Sequence, residues 1–170
     1  MRSAADRSEP TLAERMKDVR AIGRLAWIGV RPARETPMRV IERATVITGR
    51  GLEGDRATRG AIPSGKRHVT LIQAEHLPVI AALLGRAEVS PELLRRNLVV
   101  SGINLVALKT LRFRIGEHAL LEGTGPCEPC AKMDAALGEG GFQAMRGHGG
   151  LTARVIEGGE IAIGDTIRVA

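Results

Sequence analysis

The sequence has few aromatic residues, only two cysteines and no long apolar run. Its aromatic side chains are Trp27, Phe113 and Phe142, and there is no tyrosine. Proteins that bind single-stranded nucleic acids usually stack bases on aromatic side chains, so this composition argues against that class. No segment approaches the roughly 20 apolar residues of a membrane helix, and the chain begins without an apolar signal segment. We therefore expect a cytoplasmic protein with no membrane association.

The chain of 170 residues carries a formal net charge of +6, most of it near the N-terminus. Residues 1–50 hold 11 of the 25 basic residues but only 6 of the 19 acidic ones. This distribution is typical of a solvated arm rather than of a surface that reads a nucleic-acid groove. We expect residues 1–21 to form an N-terminal extension, flexible or docked, with a short helix capped by Thr11. Residues 22–170 are long enough for one folded domain.

From Gly23 onward, short apolar or alternating segments separated by turn residues predict nine β-strands. Ala153–Val169 is predicted to contain a hairpin that turns at Gly158 and Gly159. The pattern is typical of a mainly β protein, a barrel or a sandwich, with peripheral helices. The predicted strands are Arg24–Val30, Arg39–Val46, His68–Gln73, Leu98–Val100, Leu111–Ile115, Ala119–Leu121, Thr152–Glu157, Ile161–Ile163 and Thr166–Val169. The predicted helices are Ala74–Leu84, Pro91–Arg95 and Cys130–Leu137, with an extra turn at Phe142–Met145.

The segment Gly51-Leu52-Glu53-Gly54-Asp55-Arg56 joins two predicted strands and has the composition of an anion-binding loop. Glycine tolerates positive φ, so backbone N–H groups can converge on an anion while Arg56 or Arg59 adds charge. The segment matches neither the P-loop nor the dinucleotide-binding fingerprint. The alternative is a plain turn in which Asp55 hydrogen-bonds its own backbone.

Basic residues also stand at the start of two apolar strands. Lys66 and Arg67 precede the strand whose prediction begins at His68. Arg95, Arg96 and Asn97 precede the strand predicted to begin at Leu98. A rigid scaffold can aim such groups at a shared anion, although charged residues also commonly mark exposed strand ends. The Asn97 amide has the donors and acceptor to orient one guanidinium or to bind the edge of a heterocycle.

A second glycine-rich segment, Arg146-Gly147-His148-Gly149-Gly150, precedes a strand that carries Arg154. Glycines there predict a backbone that approaches a ligand closely, and the alternative is a flexible loop.

Cys127 and Cys130 are too close in sequence for their disulfide to add much stability. Pro129 fits the first turn of the helix predicted there, and a helix dipole would favour the thiolate form of Cys130. This arrangement suits a nucleophile, a sulfur carrier or a ligand for a soft metal. Three alternatives remain: a zinc site that adds His118 and His148, a dithiol redox centre, or two inert cysteines in a turn.

Together these segments resemble the MOSC domain, named for the C-terminal domain of molybdenum cofactor sulfurases. The resemblance runs from about Gly23 to Ala170 and rests on the order and spacing of five motifs. It implies a closed β-barrel with peripheral helices. It also implies binding of molybdenum cofactor (molybdopterin), a pterin phosphate whose dithiolene holds the metal. The motifs are Gly51–Arg56, Arg67–Ile72, Arg96–Gly102, Cys127–Cys130, and Gly149-Gly150 followed by Arg154-Val155 and Gly159.

By this resemblance, Cys130 matches the family cysteine that either ligates molybdenum or carries a sulfane sulfur, and Cys127 is an added neighbour. The remaining motif residues are then expected to bind the cofactor. They are Gly54, Asp55, Arg56, Arg67, Arg96, Asn97, Gly149, Gly150 and Arg154.

The family has two kinds of activity, and the resemblance implies one of them here. Stand-alone reductases reduce small N-hydroxylated compounds such as hydroxylaminopurines or amidoximes, with electrons from a separate flavin or haem protein. In the sulfurase context, the domain receives sulfur that a desulfurase supplies, or delivers it. No desulfurase or ferredoxin domain is recognised in this sequence, so we expect the donor to be another protein and favour the reductase. The alternatives are a persulfide carrier, a cofactor carrier without turnover, and a metal-free dithiol protein.

Overall fold

A computed structural model describes residues 9–60 and 65–170. Short strands make up most of the described chain, with helices between them. The strands are β1 (Gly23–Val30), β2 (Arg39–Ile41), β3 (Arg43–Ile47), β4 (Gly51–Leu52), β5 (Val69–Gln73), β6 (Leu98–Ser101), β7 (Arg112–Ile115), β8 (Ala119–Pro126), β9 (Leu151–Glu157), β10 (Gly159–Ala162) and β11 (Thr166–Val169). The helices are α1 (Leu12–Lys17), α2 (His76–Leu83), α3 (Pro91–Leu94), α4 (Lys132–Leu137) and α5 (Gly141–Met145), with 3₁₀ turns at Arg56–Thr58 and Leu105–Leu108.

Seven strands close into a barrel in the order β11, β7, β8, β9, β5, β6 and β1, and β1 pairs back to β11. Gly23 lies opposite Ile167 at the closing contact. The β5–β6 pair is parallel and the other barrel pairs are antiparallel. The expected closed, mainly β-barrel with peripheral helices is confirmed. A separate three-stranded sheet contains β10, β3 and β4.

Side-chain alternation along the strands fills the barrel interior. In β7, Phe113 and Ile115 are buried inside while Arg112 and Arg114 are exposed or partly exposed. β5 differs, because Val69–Ile72 are all buried. Ile72 belongs to a second core in which helices α2 to α5 cover the outside of β5 and β6. A strand covered on both faces need not alternate apolar and polar residues, and the polar residues of β5 are the buried Thr70 and the terminal Gln73.

The hairpin predicted within Ala153–Val169 is wrong. β10 pairs with β3, where Ile161 lies opposite Ala44. β9 already pairs with β8 on one edge and with β5 on the other, so no edge of β9 is free for β10. The chain instead crosses to the small sheet at Gly158, where an added Cβ would lie 2.3 Å from the Val46 carbonyl oxygen.

The predicted N-terminal helix is present as α1. Thr11 caps it, and Glu14 completes a capping box with the Thr11 backbone. No residue of α1 is buried, but Val19 after it packs against the barrel core. Across residues 9–60 and 65–170, no helix is long and apolar enough to cross a membrane.

Candidate functional site

A cationic cavity of about 590 Å³ lies at the N-terminal ends of β5 and β6. The loop after β1 and the start of α4 complete its wall. Seven of its lining residues are basic, and one, Glu35, is acidic. An opening of this composition selects an anionic ligand. Its lining comprises Arg31, Arg34, Glu35, Arg56, Arg67, Arg95, Arg96, Cys130, Lys132, Met133, Ala135 and Ala136.

Arg96 is the most buried cation of this cavity, with 4% of its surface exposed. Its guanidinium donates to the carbonyl oxygens of Gly149 and Leu94, both at 2.8 Å, and to that of Cys127 at 3.5 Å. No ion pair among the described residues includes Arg96. Burial lowers the pKa of Arg96, and the positive charge of Arg67 also lowers it, while Cys127 has the opposite effect. An anion in the cavity would therefore stabilise the buried charge.

Asp55 fixes the position of Arg31 at the cavity wall. Its carboxylate is buried and accepts hydrogen bonds from Arg31 Nε and Nη2, both at 3.1 Å. The backbone N–H groups of Arg31 and Ala57 also donate to it. Burial raises the pKa of Asp55, but the hydrogen bonds and charge of Arg31 outweigh burial, so the pKa lies below its usual value. Asp55 is therefore ionised and holds Arg31 in one orientation.

Asn97 lies behind Asp55 and has its hydrogen bonds with the protein. Its Oδ1 accepts from the N–H and hydroxyl of Thr70, at 3.1 and 3.0 Å. Its Nδ2 donates to the Gly29 carbonyl at 3.2 Å and to Asp55 at 2.8 Å. The amide thus acts on a guanidinium only through Asp55, and the structure places Asn97 in a positioning role.

At Gly149 and Gly150 the backbone makes the close approach expected from glycine, but it approaches other backbone segments of the protein. A Cβ at Gly149 would lie 2.1 Å from the Cys127 carbonyl oxygen, and one at Gly150 would lie 1.8 Å from that of Leu71. The Cys127 N–H donates to the Gly150 carbonyl at 2.8 Å. These contacts hold the Gly149 carbonyl in place for Arg96 and fix the chain that leads to Cys130.

The two cysteines have different surroundings. Cys127 is buried, whereas Cys130 is exposed and lines the cavity. The predicted start of a helix at Cys130 is wrong, because α4 begins at Lys132 and has six residues. Cys130 contributes only its carbonyl oxygen to this helix start, where it accepts from the Met133 N–H at 2.9 Å. The charges around the thiol are therefore those of the arginines across the cavity rather than of a long helix dipole.

Two predicted residues lie away from the cationic cavity. Gly54 has φ +82° and lines a separate cavity on the small sheet, beside Arg39 and Glu160. Arg154 projects from the outer face of β9 and donates to Glu122 at 2.6 Å. The structure therefore brings Arg56, Arg67, Arg96 and Cys130 together, with Asp55, Asn97, Gly149 and Gly150 behind them.

The four ligands considered for zinc are not assembled. No group of three or more metal-binding side chains was found in residues 9–60 and 65–170. His118 is exposed beside Glu117, and the ring of His148 packs edge-on against that of His76, with ring centroids 5.1 Å apart.

Three basic residues of the cavity were not identified from the sequence, namely Arg31, Arg34 and Lys132. Arg31 follows directly after the predicted strand Arg24–Val30, so it carried the same signal as Arg67 and Arg96 at the starts of theirs. Arg34 stands in a loop and Lys132 at a helix start, where no pattern in the sequence distinguishes them from surface residues.

The fold and the site together define a closed β-barrel protein with an arginine-lined cavity in which one cysteine is exposed. Residues 53–168 match the family model of the MOSC domain, so the chain belongs to the MOSC domain family. The resemblance inferred from the motifs is confirmed.

Solved structures share this fold. The YuaD protein from Bacillus subtilis has a TM-score of 0.78 at 20% identity, covering 89% of this chain and 97% of that one. YiiM from Escherichia coli has a TM-score of 0.65 at 22% identity, covering 86% and 69%. YiiM from Geobacillus stearothermophilus has a TM-score of 0.67 at 15% identity, covering 87% and 75%. A comparison with curated proteins gave no significant match.

Proposed function

We propose that this MOSC protein binds molybdenum cofactor in the cationic cavity and reduces small N-hydroxylated compounds. The observation that carries the proposal is the buried guanidinium of Arg96, which has only carbonyl partners and lies in the same cavity as the exposed Cys130. A phosphate-bearing anion fits the guanidinium groups, and a soft metal fits the thiolate.

The residues of the cavity fit the two ends of the cofactor. Arg56, Arg67 and Arg96 would hold its phosphate, with Arg31 kept at the wall by Asp55. Cys130 would bind molybdenum as thiolate, because it is the exposed thiol of the pair. When bound, the cofactor supplies a metal centre that can accept an oxygen atom and exchange two electrons.

In the proposed reaction, the N–O bond of an N-hydroxylated substrate is broken and its nitrogen is reduced. Two electrons and two protons enter, and an N–H compound and water leave. A separate flavin or haem protein would deliver the electrons. The protein's own residues would bind the anionic cofactor, orient it through Arg96 and keep Cys130 exposed in the cavity.

A persulfide carrier is the second candidate function, and the exposure of Cys130 favours it. In that case, Cys130 would accept sulfur from a desulfurase, and no electron donor would be needed.

An anaerobic assay tests the reductase proposal. Protein purified from a host that makes the cofactor is mixed with an amidoxime and a chemical reductant, and the amidine product is measured. The proposal predicts turnover that is lost in Cys130→Ser and largely retained in Cys127→Ser, with Arg168→Gln as a surface control. Full activity in Cys130→Ser would remove the thiolate from the mechanism. A molybdenum-loaded protein that reduces no N-hydroxylated compound would contradict the reductase assignment.

A further inference from the structure

Two histidines that do not line the cationic cavity, His76 and His148, lie in contact with each other. His76 begins α2, and His148 lies in the glycine-rich segment of residues 146–150 that precedes β9. Their rings meet edge-on, with centroids 5.1 Å apart. The Nδ1 atom of each ring is buried, and neither has a hydrogen-bond partner among the described residues. A proton on either Nδ1 would therefore be a buried donor with no acceptor.

Few charges surround this pair of rings. Glu75 is the acidic neighbour, and its carboxylate accepts from a backbone N–H at 2.7 Å. Arg146 donates to a side chain of α5 at 3.2 Å, and Arg96 lies beyond the segment 146–150. The other side chains of α2, and those of α5 and β5, which pack against it, carry no charge. Burial lowers the pKa of His76 and the neighbouring His148 lowers it further, while Glu75 and a hydrogen bond with the His148 backbone only partly offset this.

The two histidines stand on parts of the chain that differ in freedom. His76 belongs to a helix that buries Ile80 and Ala81 in the second core. His148 follows Gly147, which has φ +77° and open space around its Cα. Glycine changes its backbone conformation at little steric cost. If a charge separates the two rings, the segment 146–150 is therefore the part that moves.

Two hydrogen bonds connect this segment to the wall of the cationic cavity. The Gly149 carbonyl accepts from Arg96 Nε, and the Gly150 carbonyl accepts from the Cys127 N–H, both at 2.8 Å. Movement of the segment away from α2 would break both contacts.

We propose that uptake of a proton by His76 opens the segment 146–150 and thereby releases Arg96 and Cys127 from it. His76 and His148 are then positioning residues, which act on the cavity through the Gly149 carbonyl. In the open form the His76 Nδ1–H reaches water, so this form binds the proton more readily than the closed one. Opening therefore increases as the pH falls below the ordinary histidine value of about 6.5. The proposal stands on these contacts alone and does not depend on the proposed function.

Amide hydrogen exchange followed by NMR at several pH values tests this proposal. The measured quantity is the protection factor, which is the intrinsic exchange rate divided by the observed rate at the same pH. Between about pH 7.5 and about pH 5, protection of the Cys127 N–H should fall at least about threefold, because one proton bound on opening shifts the equilibrium by up to about tenfold per pH unit. The Gly116 N–H, which donates to the Thr166 carbonyl at 2.9 Å, is the reference and should keep its protection.

His76→Gln keeps a polar side chain that cannot take up the proton, so the fall in Cys127 protection should disappear. His118→Gln replaces an exposed histidine beside Glu117 and is the matched control, in which the fall should remain. Titration of the His76 ring in wild-type protein needs no variant, and its midpoint should coincide with the loss of Cys127 protection. Unchanged Cys127 protection while His76 titrates would overturn the proposal, and so would an equal fall at Gly116 or the same fall in His76→Gln.

Discussion

Replacing Asp55 by Asn tests the network that fixes the cavity wall. The Asp55 carboxylate is 2% exposed and the Arg31 side chain 15%, so the ion pair is largely shielded from water. Asn has the same shape but no charge, and its amide would place N–H donors against the donors of Arg31 and Asn97. The substitution therefore leaves a buried guanidinium without its counter-ion.

Removing one partner of a buried ion pair costs about 3–5 kcal/mol. Because Arg31 keeps some contact with water, we expect Asp55→Asn to cost about 3 kcal/mol, near the lower end of that range. For a protein of this length, that loss corresponds to a fall in Tm of about 6–12 °C. The variant should also bind phosphate more weakly, because Arg31 loses its fixed orientation.

Urea unfolding followed by circular dichroism measures the effect, with Asp18→Asn as the control. Asp18 pairs with Arg20 on the surface, so its substitution should leave the urea concentration at the unfolding midpoint, Cm, unchanged. The lowered pKa of Asp55 stabilises the fold above the unfolded-state pKa, and this contribution is lost as the pH falls through the folded-state value. The difference in free energy of unfolding between wild type and Asp55→Asn should thus be constant near neutral pH and become smaller below about pH 4. A Cm for Asp55→Asn equal to that of the control would refute the reasoning.

Three further predictions concern other parts of the same site. Gly150→Ala should lower the free energy of unfolding by about 3 kcal/mol, because its Cβ would clash with a carbonyl oxygen of β5. Gly147→Ala, which is also at positive φ but has open space around it, should lower it by about 1 kcal/mol. Chemical denaturation measures both losses, and equal losses would contradict the clash. In native protein, a thiol reagent should modify Cys130 rapidly and Cys127 only after unfolding; two fast thiols counted by mass spectrometry would contradict the described burial. Burial and a neighbouring histidine lower the pKa of His76. The unfolded state therefore binds the proton more readily, and the free energy of unfolding should decline as the pH falls below about 6.5. His76→Asn should weaken that decline in urea titrations at several pH values, and an unchanged pH profile would contradict the prediction.

Much of the fold follows from local patterns in the sequence. Strands such as β7 can be predicted from the sequence, because apolar and charged residues alternate in them as in a half-buried strand. In β7 the buried Phe113 and Ile115 alternate with arginines. The capping box at Thr11 and Glu14 is equally local. The failed hairpin shows the limit of such reasoning. Gly158 and Gly159 do mark a change of direction, but partner choice depends on which strand edges are occupied, and sequence neighbours do not reveal that.

The same limit applies to the candidate site. Glycines next to a basic residue indicated close backbone contact at Gly149 and Gly150, and such contact exists, yet its partners are the carbonyls of Cys127 and Leu71. Arg154 lies outside the cationic cavity, because its side chain projects from the outer face of β9 and meets Glu122. The cavity itself is assembled from chain segments far apart in sequence, so its volume and charge emerge only from the closed barrel.

Elemental and pterin analysis of purified protein tests the central claim most directly. Protein from a host that makes molybdenum cofactor should contain close to one molybdenum and one pterin per chain, and Cys130→Ser should lose the metal while keeping its fold. Wild-type protein with neither molybdenum nor pterin, even after incubation with released cofactor, would contradict the account.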